Sequence, residues 1–293
     1  MLRKQNSSSL SIFLLVLLLL ISVSIFITSN QINRKLEQCS LPSFTRQARV
    51  LNPAALYTSH SAKEVRKSSF KSADQARKLL IAAAKLNDNK DFYAKVKTEA
   101  HCENMERIGE SGDGGKYVCN PKMVRNGCTL MSLGLNNQIE YDEHIHKATG
   151  KQCIILGADI GEQNEKTKES YKNINGQLFV GKIPDNLPIS SMLEKSGRSE
   201  IELLKMDIEN GEFTALEPLI KDYFVCQIFI EIHGTPLNHF ELLQTMAKYG
   251  FRIFNVDPNP YCEACCEYSL INDFCMAQFE VTPLASIIPP VTV

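Results

Sequence analysis

An apolar run passes directly into a cluster of acids at Glu202-Leu203-Leu204-Lys205-Met206-Asp207-Ile208-Glu209-Asn210-Gly211-Glu212. The apolar part predicts a buried strand, and three carboxylates follow within six residues of its end. At the carboxyl edge of a parallel sheet, such acids face the crevice where open α/β folds bind ligands. They could orient a cationic ligand, position a hydroxyl group or ligate a divalent ion, and the alternative is a polar helix start favoured by the helix dipole.

Short apolar runs alternate with charged, helix-like stretches throughout the chain beyond residue 100. The seven runs are 129–133, 153–156, 177–180, 202–206, 225–232, 252–256 and 274–279. Segment 226–230 is apolar on both faces, which is typical of a parallel strand covered by helices. We therefore predict an α/β fold with a Rossmann-like sheet of seven strands and helices on both of its faces.

The loops after the first two runs carry polar residues that could meet a ligand. The first run ends at Gly134, where a glycine would let the backbone approach a ligand, although a single glycine after a strand is more often an ordinary turn. Asp159 follows Gly134 by 25 residues, close to where such folds place an acid that accepts hydrogen bonds from ribose hydroxyls. A surface aspartate that caps the next helix explains Asp159 as well.

Strand alternation places Glu231 and His233 on one side of the strand that ends at Gly234. An imidazole titrates near neutral pH, so His233 could remove a proton from an acceptor hydroxyl. A lone histidine at a strand end is more often structural. Further upstream, Asp113-Gly114 fits a hairpin turn as well as a loop that contacts a cofactor.

Taken together, these motifs resemble the FkbM-type methyltransferases and, among them, the methyltransferase-like protein 24 group. The matching motifs are Glu202 to Glu209 followed by Glu212, then Gly112-Asp113-Gly114-Gly115-Lys116-Tyr117-Val118-Cys119, Ser132-Leu133-Gly134, Glu231-Ile232-His233 and Asn259-Pro260-Tyr261-Cys262. The resemblance covers about residues 100 to 283. It implies a seven-stranded Rossmann-like methyltransferase domain that uses S-adenosyl-L-methionine, typically on hydroxyl groups of sugars or small molecules.

The chain departs from the family pattern at three positions. Ser132 stands where the family commonly has aspartate, Gln138 where it has glycine, and Asn210 where it has glycine in the acidic motif. A loop shifted by one residue would bring Gly211 into the place of the missing glycine. Two rival functions are a non-catalytic lumenal binding protein on a methyltransferase fold and a metal-dependent glycosyltransferase that uses the paired acids on a metal.

Our hypothesis assigns roles to residues at the predicted crevice. The catalytic candidates are His233, Asp207, Glu231 and Glu209. The cofactor-binding candidates are Gly134, Asn136, Asp159, Asp207 and Asp113. His233 is the first candidate for the general base and Asp207 the second, and we assign no metal to the site.

The N-terminal part predicts a membrane anchor on a stem. The run from Leu10 to Ile27 holds 18 uncharged residues, near the length of a spanning helix, and a cleaved signal peptide is the alternative. We predict a cytosolic tail (1–9), a transmembrane signal anchor (10–28), a flexible basic stem (29–71) and a helical stem or cap (72–99) that begins with a capping box at Ser72 and Gln75. The methyltransferase-like domain (100–283) precedes a loosely tethered tail (284–293).

Charge and cysteine usage restrict the partners and the compartment. Residues 101 to 293 hold 16 Lys and Arg against 27 Asp and Glu, which argues against a nucleic-acid partner. Nine of the ten cysteines lie beyond residue 100. This favours disulfides and a lumenal domain in the secretory pathway, in the Golgi or the endoplasmic reticulum. A zinc site is the alternative for four of them, namely Cys262, Cys265, Cys266 and Cys275.

Overall fold

The computed structural model describes residues 59–112 and 114–290 of the 293-residue chain. The predicted cytosolic tail, the anchor at 10–28 and the stem as far as residue 58 lie outside the described residues, as does Asp113. Within the two described ranges, no helix is long and apolar enough to cross a membrane.

Helices and strands alternate along most of the described chain. The helices are α1 (His60–Ala83), α2 (Asn89–Lys95), α3 (Glu140–Ala148), α4 (Glu165–Asn173), α5 (Ile189–Lys195), α6 (Glu212–Asp222) and α7 (Pro236–Lys248). The strands are β1 (Ala100–His101), β2 (Met105–Ile108), β3 (Lys116–Cys119), β4 (Thr129–Leu133), β5 (Ile154–Asp159), β6 (Gln177–Val180), β7 (Glu200–Met206), β8 (Phe224–His233), β9 (Phe251–Pro258), β10 (Cys265–Asn272) and β11 (Thr282–Pro283).

Seven of these strands form the central sheet, in the order β6-β5-β4-β7-β8-β10-β9. The first five in this order are parallel to one another, and β10 runs antiparallel to both of its neighbours. From β4 the chain moves outward to β5 and β6, then returns to place β7 on the other side of β4. A crevice therefore opens at the carboxyl ends of β4 and β7, where the strand order reverses. The predicted Rossmann-like α/β fold, with a mainly parallel sheet, is confirmed.

One of the seven predicted strands is wrong. Segment 274–279 is not a strand: it contains the end of a short 3₁₀ helix (Asp273–Cys275) followed by turns. The segment is apolar because Cys275 and Phe279 are buried against one face of the sheet. In the central sheet, the strand that the prediction missed is β10. Its alternating polar residues, Glu267 and Ser269, concealed its burial.

The two faces of the sheet are covered differently. One face packs against side chains of α1, α2, α5, α6 and α7, and the other against α3, α4 and the antiparallel hairpin β2–β3. Along β7, Leu204 and Met206 belong to the first core, while Leu203 belongs to the second. By the same alternation Lys205 lies on the hairpin side, among charged groups rather than in an apolar core.

The first described helix begins earlier than predicted. It starts at His60, with Ser59 as the N-cap residue whose hydroxyl accepts a hydrogen bond from the Ala62 amide at 2.9 Å. Ser72 lies inside the helix and donates to the Ser68 carbonyl, so the predicted capping box is wrong. Residues 60–71, predicted as flexible stem, are therefore helical. The polar composition of this segment led to the wrong prediction, because a mostly exposed helix needs only a narrow packed stripe. Long polar side chains are compatible with helical structure.

The predicted loose tail is also wrong over residues 284–290. Leu284, Ile287 and Ile288 are buried against the domain. The buried Glu99 carboxylate accepts hydrogen bonds from the amides of Ile287 at 2.5 Å and Ile288 at 2.8 Å. The prolines near the end of the chain suggested disorder, but the apolar residues before them pack into the core.

Removal of this tail is expected to destabilise the domain. Truncation after Pro283 exposes the surface covered by Ile287 and Ile288, each of which contributes about 1.5–3 kcal/mol when fully buried. It also removes the two amide donors of the Glu99 carboxylate. Chemical denaturation should show a clearly lower midpoint than for truncation after Pro290, which removes only residues 291–293. Equal midpoints for the two truncations would show that the tail adds nothing to stability.

Eight cysteines form four disulfides, which pair Cys102 with Cys119, Cys128 with Cys153, Cys226 with Cys275 and Cys262 with Cys265. In the described part of the chain Cys266 is free, and it is buried. The alternative of a zinc site with four thiolates is contradicted, because Cys275 pairs with a strand residue and Cys262 pairs with Cys265.

Candidate active site

The loops after β4 and β7 touch each other through their backbones. Gly134 has a φ of +79°, and a Cβ atom added there would lie 1.6 Å from the carbonyl oxygen of Asp207. The Asp207 amide donates to the Leu133 carbonyl at 3.1 Å. Only glycine allows this approach, so Gly134 holds the crevice together, whatever contact it makes with a ligand.

Asp159 ties two loops together at the next strand end. One carboxylate oxygen accepts from the Asn136 amide at 2.6 Å and the other from the Gly161 amide at 3.1 Å. Helix α4 is instead capped by Asn164, so the interpretation of Asp159 as the cap of that helix is wrong. Asp159 is half-buried and Asn136 is exposed, which leaves both at the rim of the crevice.

The four predicted catalytic residues come together at the carboxyl edge of the sheet. Ligand-capable atoms of Asp207, Glu209 and His233 lie within 4.8 Å of one another. Those of Asp207 and Glu231 are equally close. His233 Nε2 lies 3.5 Å from Glu209 Oε2. Four residues from two strand ends therefore share one small region.

A fourth acid, Glu212, determines the charge of His233. It is fully buried at the start of α6, and its Oε1 accepts from the Ile208 amide and lies 3.5 Å from His233 Nδ1. Because of this contact, which outweighs the effect of burial, the pKa of His233 is raised to about 9. The imidazole of the free protein is thus charged at neutral pH.

The acidic loop has a left-handed backbone conformation at Asn210, the position where the family commonly has glycine. Glu209 and Asn210 have φ values of +54° and +73°. Asparagine is among the few residues other than glycine that adopt this left-handed region readily. Asn210 can therefore occupy the glycine position directly, and no shift of the loop toward Gly211 is needed.

Two charged residues that our sequence reasoning did not assign complete the cluster. Glu267 on β10 contributes a carboxylate within 4.8 Å of Asp207 and Glu231. Lys116 on β3 pairs with Glu267, and its Nζ lies 4.0 Å from Asp207. Burial disfavours the charge of Lys116, but the carboxylates outweigh it and raise the pKa of the ammonium. Burial and the neighbouring carboxylates raise the pKa of Glu231 to about 8, opposed by Lys116 and by the amide of Asn259.

Glu267 had a signal in the sequence that was not used. It is a lone acid in an otherwise buried segment, and a strand assigned to 265–272 would have directed its side chain to the face that carries Glu231. Lys116 lies within the motif at 112–119, but nothing in the sequence indicated that it pairs with Glu267, 151 residues further along the chain.

A polar cavity of about 230 Å³ lies beside the Gly134 loop. Its lining consists of Glu110, Gly114, Gln138, Glu140, Tyr141 and Lys205. The buried Lys205 ammonium donates to the Gly134 carbonyl at 3.0 Å. Gly114 therefore lies at the cavity, and its neighbour Asp113 is outside the described residues.

A buried acid from another element lies next to Ser132. Asp142 on α3 is buried next to Ser132, Tyr171 and Lys205. Burial raises the pKa of Asp142 to about 6, against the opposing effect of the Lys205 ammonium. A carboxyl group thus lies behind the β4 strand end although residue 132 is a serine.

Comparison with known proteins gives one family match. Residues 85–253, which are 169 of the 293 residues, match the methyltransferase FkbM domain. No curated protein matches the chain.

Several solved structures are similar at low identity. The chain is similar to the Methanococcus jannaschii fibrillarin pre-rRNA processing protein, with 13% identity over 57% of this chain and 83% of that chain and a TM-score of 0.37. Aeropyrum pernix fibrillarin with natively bound S-adenosyl-L-methionine is 11% identical over 51% of this chain and 68% of that chain, with a TM-score of 0.37. A SAM-dependent methyltransferase from Aquifex aeolicus is 13% identical over 52% of this chain and 90% of that chain, with a TM-score of 0.34.

Proposed function

The chain belongs to the FkbM methyltransferase family, and from this premise we propose that it transfers a methyl group to a hydroxyl group of a glycan or small molecule. Its methyl donor is S-adenosyl-L-methionine. The proposal is carried by one observation, the convergence of Asp207, Glu231 and His233 at the carboxyl edge of the sheet. These groups lie next to the strand-order reversal, where α/β folds bind ligands.

The residues around the Gly134 loop suit such a donor. The buried Lys205 ammonium can face a carboxylate, and Glu110 and Glu140 line the same cavity with groups that can face an ammonium. The half-buried Asp159 carboxylate at the rim can accept hydrogen bonds from ribose hydroxyls. The donor supplies a methyl group already activated on a cationic sulfur.

The protein then has to align the acceptor and take up one proton. The hydroxyl oxygen attacks the methyl carbon in line, so that a carbon–oxygen bond forms as the carbon–sulfur bond breaks. The hydroxyl proton passes to His233, or to Asp207 as the second candidate. A further positive charge in the cleft disfavours the imidazolium and so favours the neutral His233 that can accept a proton.

Asp159→Ala is expected to weaken donor binding by about tenfold, or about 1.4 kcal/mol. The substitution removes an acceptor for the ribose and releases the Asn136 and Gly161 amides that shape the loop. Isothermal titration with S-adenosyl-L-methionine measures the change. Glu162→Ala is the matched control, since Glu162 is a nearby acid that is largely exposed and pairs with Lys168 on the surface. Equal affinities for the two variants would contradict the role of Asp159.

Donor binding and methyl transfer test the proposed function separately. The full chain in detergent is titrated with S-adenosyl-L-methionine and then assayed for transfer to a panel of glycans and small hydroxylated molecules. A folded chain that binds no donor would contradict the proposal. Binding without turnover on any acceptor would instead support a non-catalytic binding protein. Turnover of a nucleotide sugar with manganese would support the glycosyltransferase.

We also propose that residues 10–28 anchor the protein in a membrane of the secretory pathway, as in the methyltransferase-like protein 24 group, with the catalytic domain in the lumen. The four disulfides support this, since such bonds persist in oxidising compartments. Protease protection of the domain in intact microsomes tests the orientation. Digestion of the domain without detergent would contradict it.

A further inference from the structure

Three carboxylates from three separate strands meet on the hairpin side of the sheet. They belong to Asp207 after β7, Glu231 on β8 and Glu267 on β10. We propose that these three residues form a binding site for a hard divalent cation, of the kind of Mg²⁺, Mn²⁺ or Ca²⁺. The existence of the site stands on this geometry, and only the role of the ion rests on the proposed function.

The spacing of the three groups suits one ion. One oxygen from each carboxylate lies within 4.8 Å of the other two. Opposite ligands of Ca²⁺ at its usual bond length are about 5 Å apart, and those of Mg²⁺ about 4 Å apart. Oxygens at this separation can reach a common ion after small side-chain rotations.

Burial favours a cation at this place. Glu231 and Glu267 are 3% and 8% exposed, and Oε2 of Glu267 is buried without a hydrogen-bond partner. A buried carboxylate is costly unless it is paired or coordinates a metal. The Lys116 ammonium contacts Glu267 and reaches Asp207 only at 4.0 Å. A divalent ion would coordinate carboxylate oxygens that Lys116 does not contact, among them Oε2 of Glu267.

The chemistry of the ligands selects the class of ion. All three are carboxylates, which suit Mg²⁺, Mn²⁺ and Ca²⁺ better than softer metals. The sulfur of Cys265 lies within 4.8 Å of Glu231 and His233, but its disulfide bond to Cys262 removes it as a ligand. Glu209 and His233 lie within 4.8 Å of Asp207, so further ligands are available at the rim.

An ion at this position would act on the acceptor. A bound divalent cation coordinates a hydroxyl oxygen and makes its proton easier to remove. Open coordination positions would favour an acceptor that offers two adjacent oxygens, such as a vicinal diol of a sugar or a hydroxy acid. The acceptor hydroxyl would then be held between the ion and His233.

Direct binding of Mn²⁺ tests the site without an assay of activity. The full chain is titrated with Mn²⁺, and the free ion is followed by its electron paramagnetic resonance signal. We expect one strongly bound Mn²⁺ per chain. Glu267→Gln, which keeps the shape of the side chain, should lower the affinity by about tenfold or more. Glu217→Gln removes an acid on α6 that pairs with Lys248 and should bind Mn²⁺ as the natural chain does.

The outcomes separate this inference from the proposed function. A chain that binds S-adenosyl-L-methionine but no Mn²⁺ at millimolar concentration overturns the cation site and leaves the methyltransferase proposal intact. Mn²⁺ binding without donor binding supports the cation site and contradicts the methyltransferase proposal. Equal Mn²⁺ affinity in the natural chain and in Glu267→Gln also overturns the site. If Glu267→Gln does not fold, Glu231→Gln is read in the same way.

Discussion

Gly134→Ala should destabilise the domain by about 3 kcal/mol or more and remove measurable donor binding. The added methyl group would lie 1.6 Å from the Asp207 carbonyl oxygen, so the loops after β4 and β7 must separate. The left-handed backbone alone costs an alanine about 1–2 kcal/mol. Separation also moves the Gly134 carbonyl away from the Lys205 ammonium at the cavity. Chemical denaturation and isothermal titration with the donor measure the two effects.

Gly197→Ala isolates the cost of the backbone conformation. Gly197 has a φ of +63°, and an added Cβ would have nothing within 4 Å. We expect this variant to lose only about 1 kcal/mol and to bind the donor normally. If Gly134→Ala is as mild as Gly197→Ala, the close approach of the two loops does not determine the crevice.

His233→Gln is expected to lower the turnover number by about 10²–10⁴-fold while donor affinity is retained. Glutamine cannot accept and release the acceptor proton as imidazole does, although it can still donate to the buried Glu212. It is preferred to alanine because it leaves that carboxylate a potential partner. Transfer rates at saturating donor give the effect on chemistry, and titration gives the effect on binding.

His101→Gln is the matched control, since His101 lies on β1, outside the carboxyl edge of the sheet. This variant should turn over at the natural rate. Full activity in His233→Gln would remove the base assignment from His233. Asp207→Asn would then be the next variant to measure, because Asp207 is the second candidate.

Local patterns predicted the sheet well wherever an apolar segment was also a strand. The bounds of β4 and β6 follow from short apolar runs between polar stretches, and both match the structure. The same reasoning failed at 274–279, where an apolar segment fills space beside the sheet. It failed again at β10, whose acid Glu267 made a buried strand look like a loop. A sequence shows that a residue is apolar, but not what covers it.

The sequence by itself determined the fold class and the set of acids at the strand ends, because strand direction and side-chain alternation are local properties. Asp207, Glu231 and His233 could be grouped in advance for that reason. Only the tertiary structure decided that Glu267 and Lys116 join them, that the tail is buried on Glu99, and which cysteines pair. These contacts depend on the order and register of strands that are distant in the chain, and single-sequence patterns do not specify either.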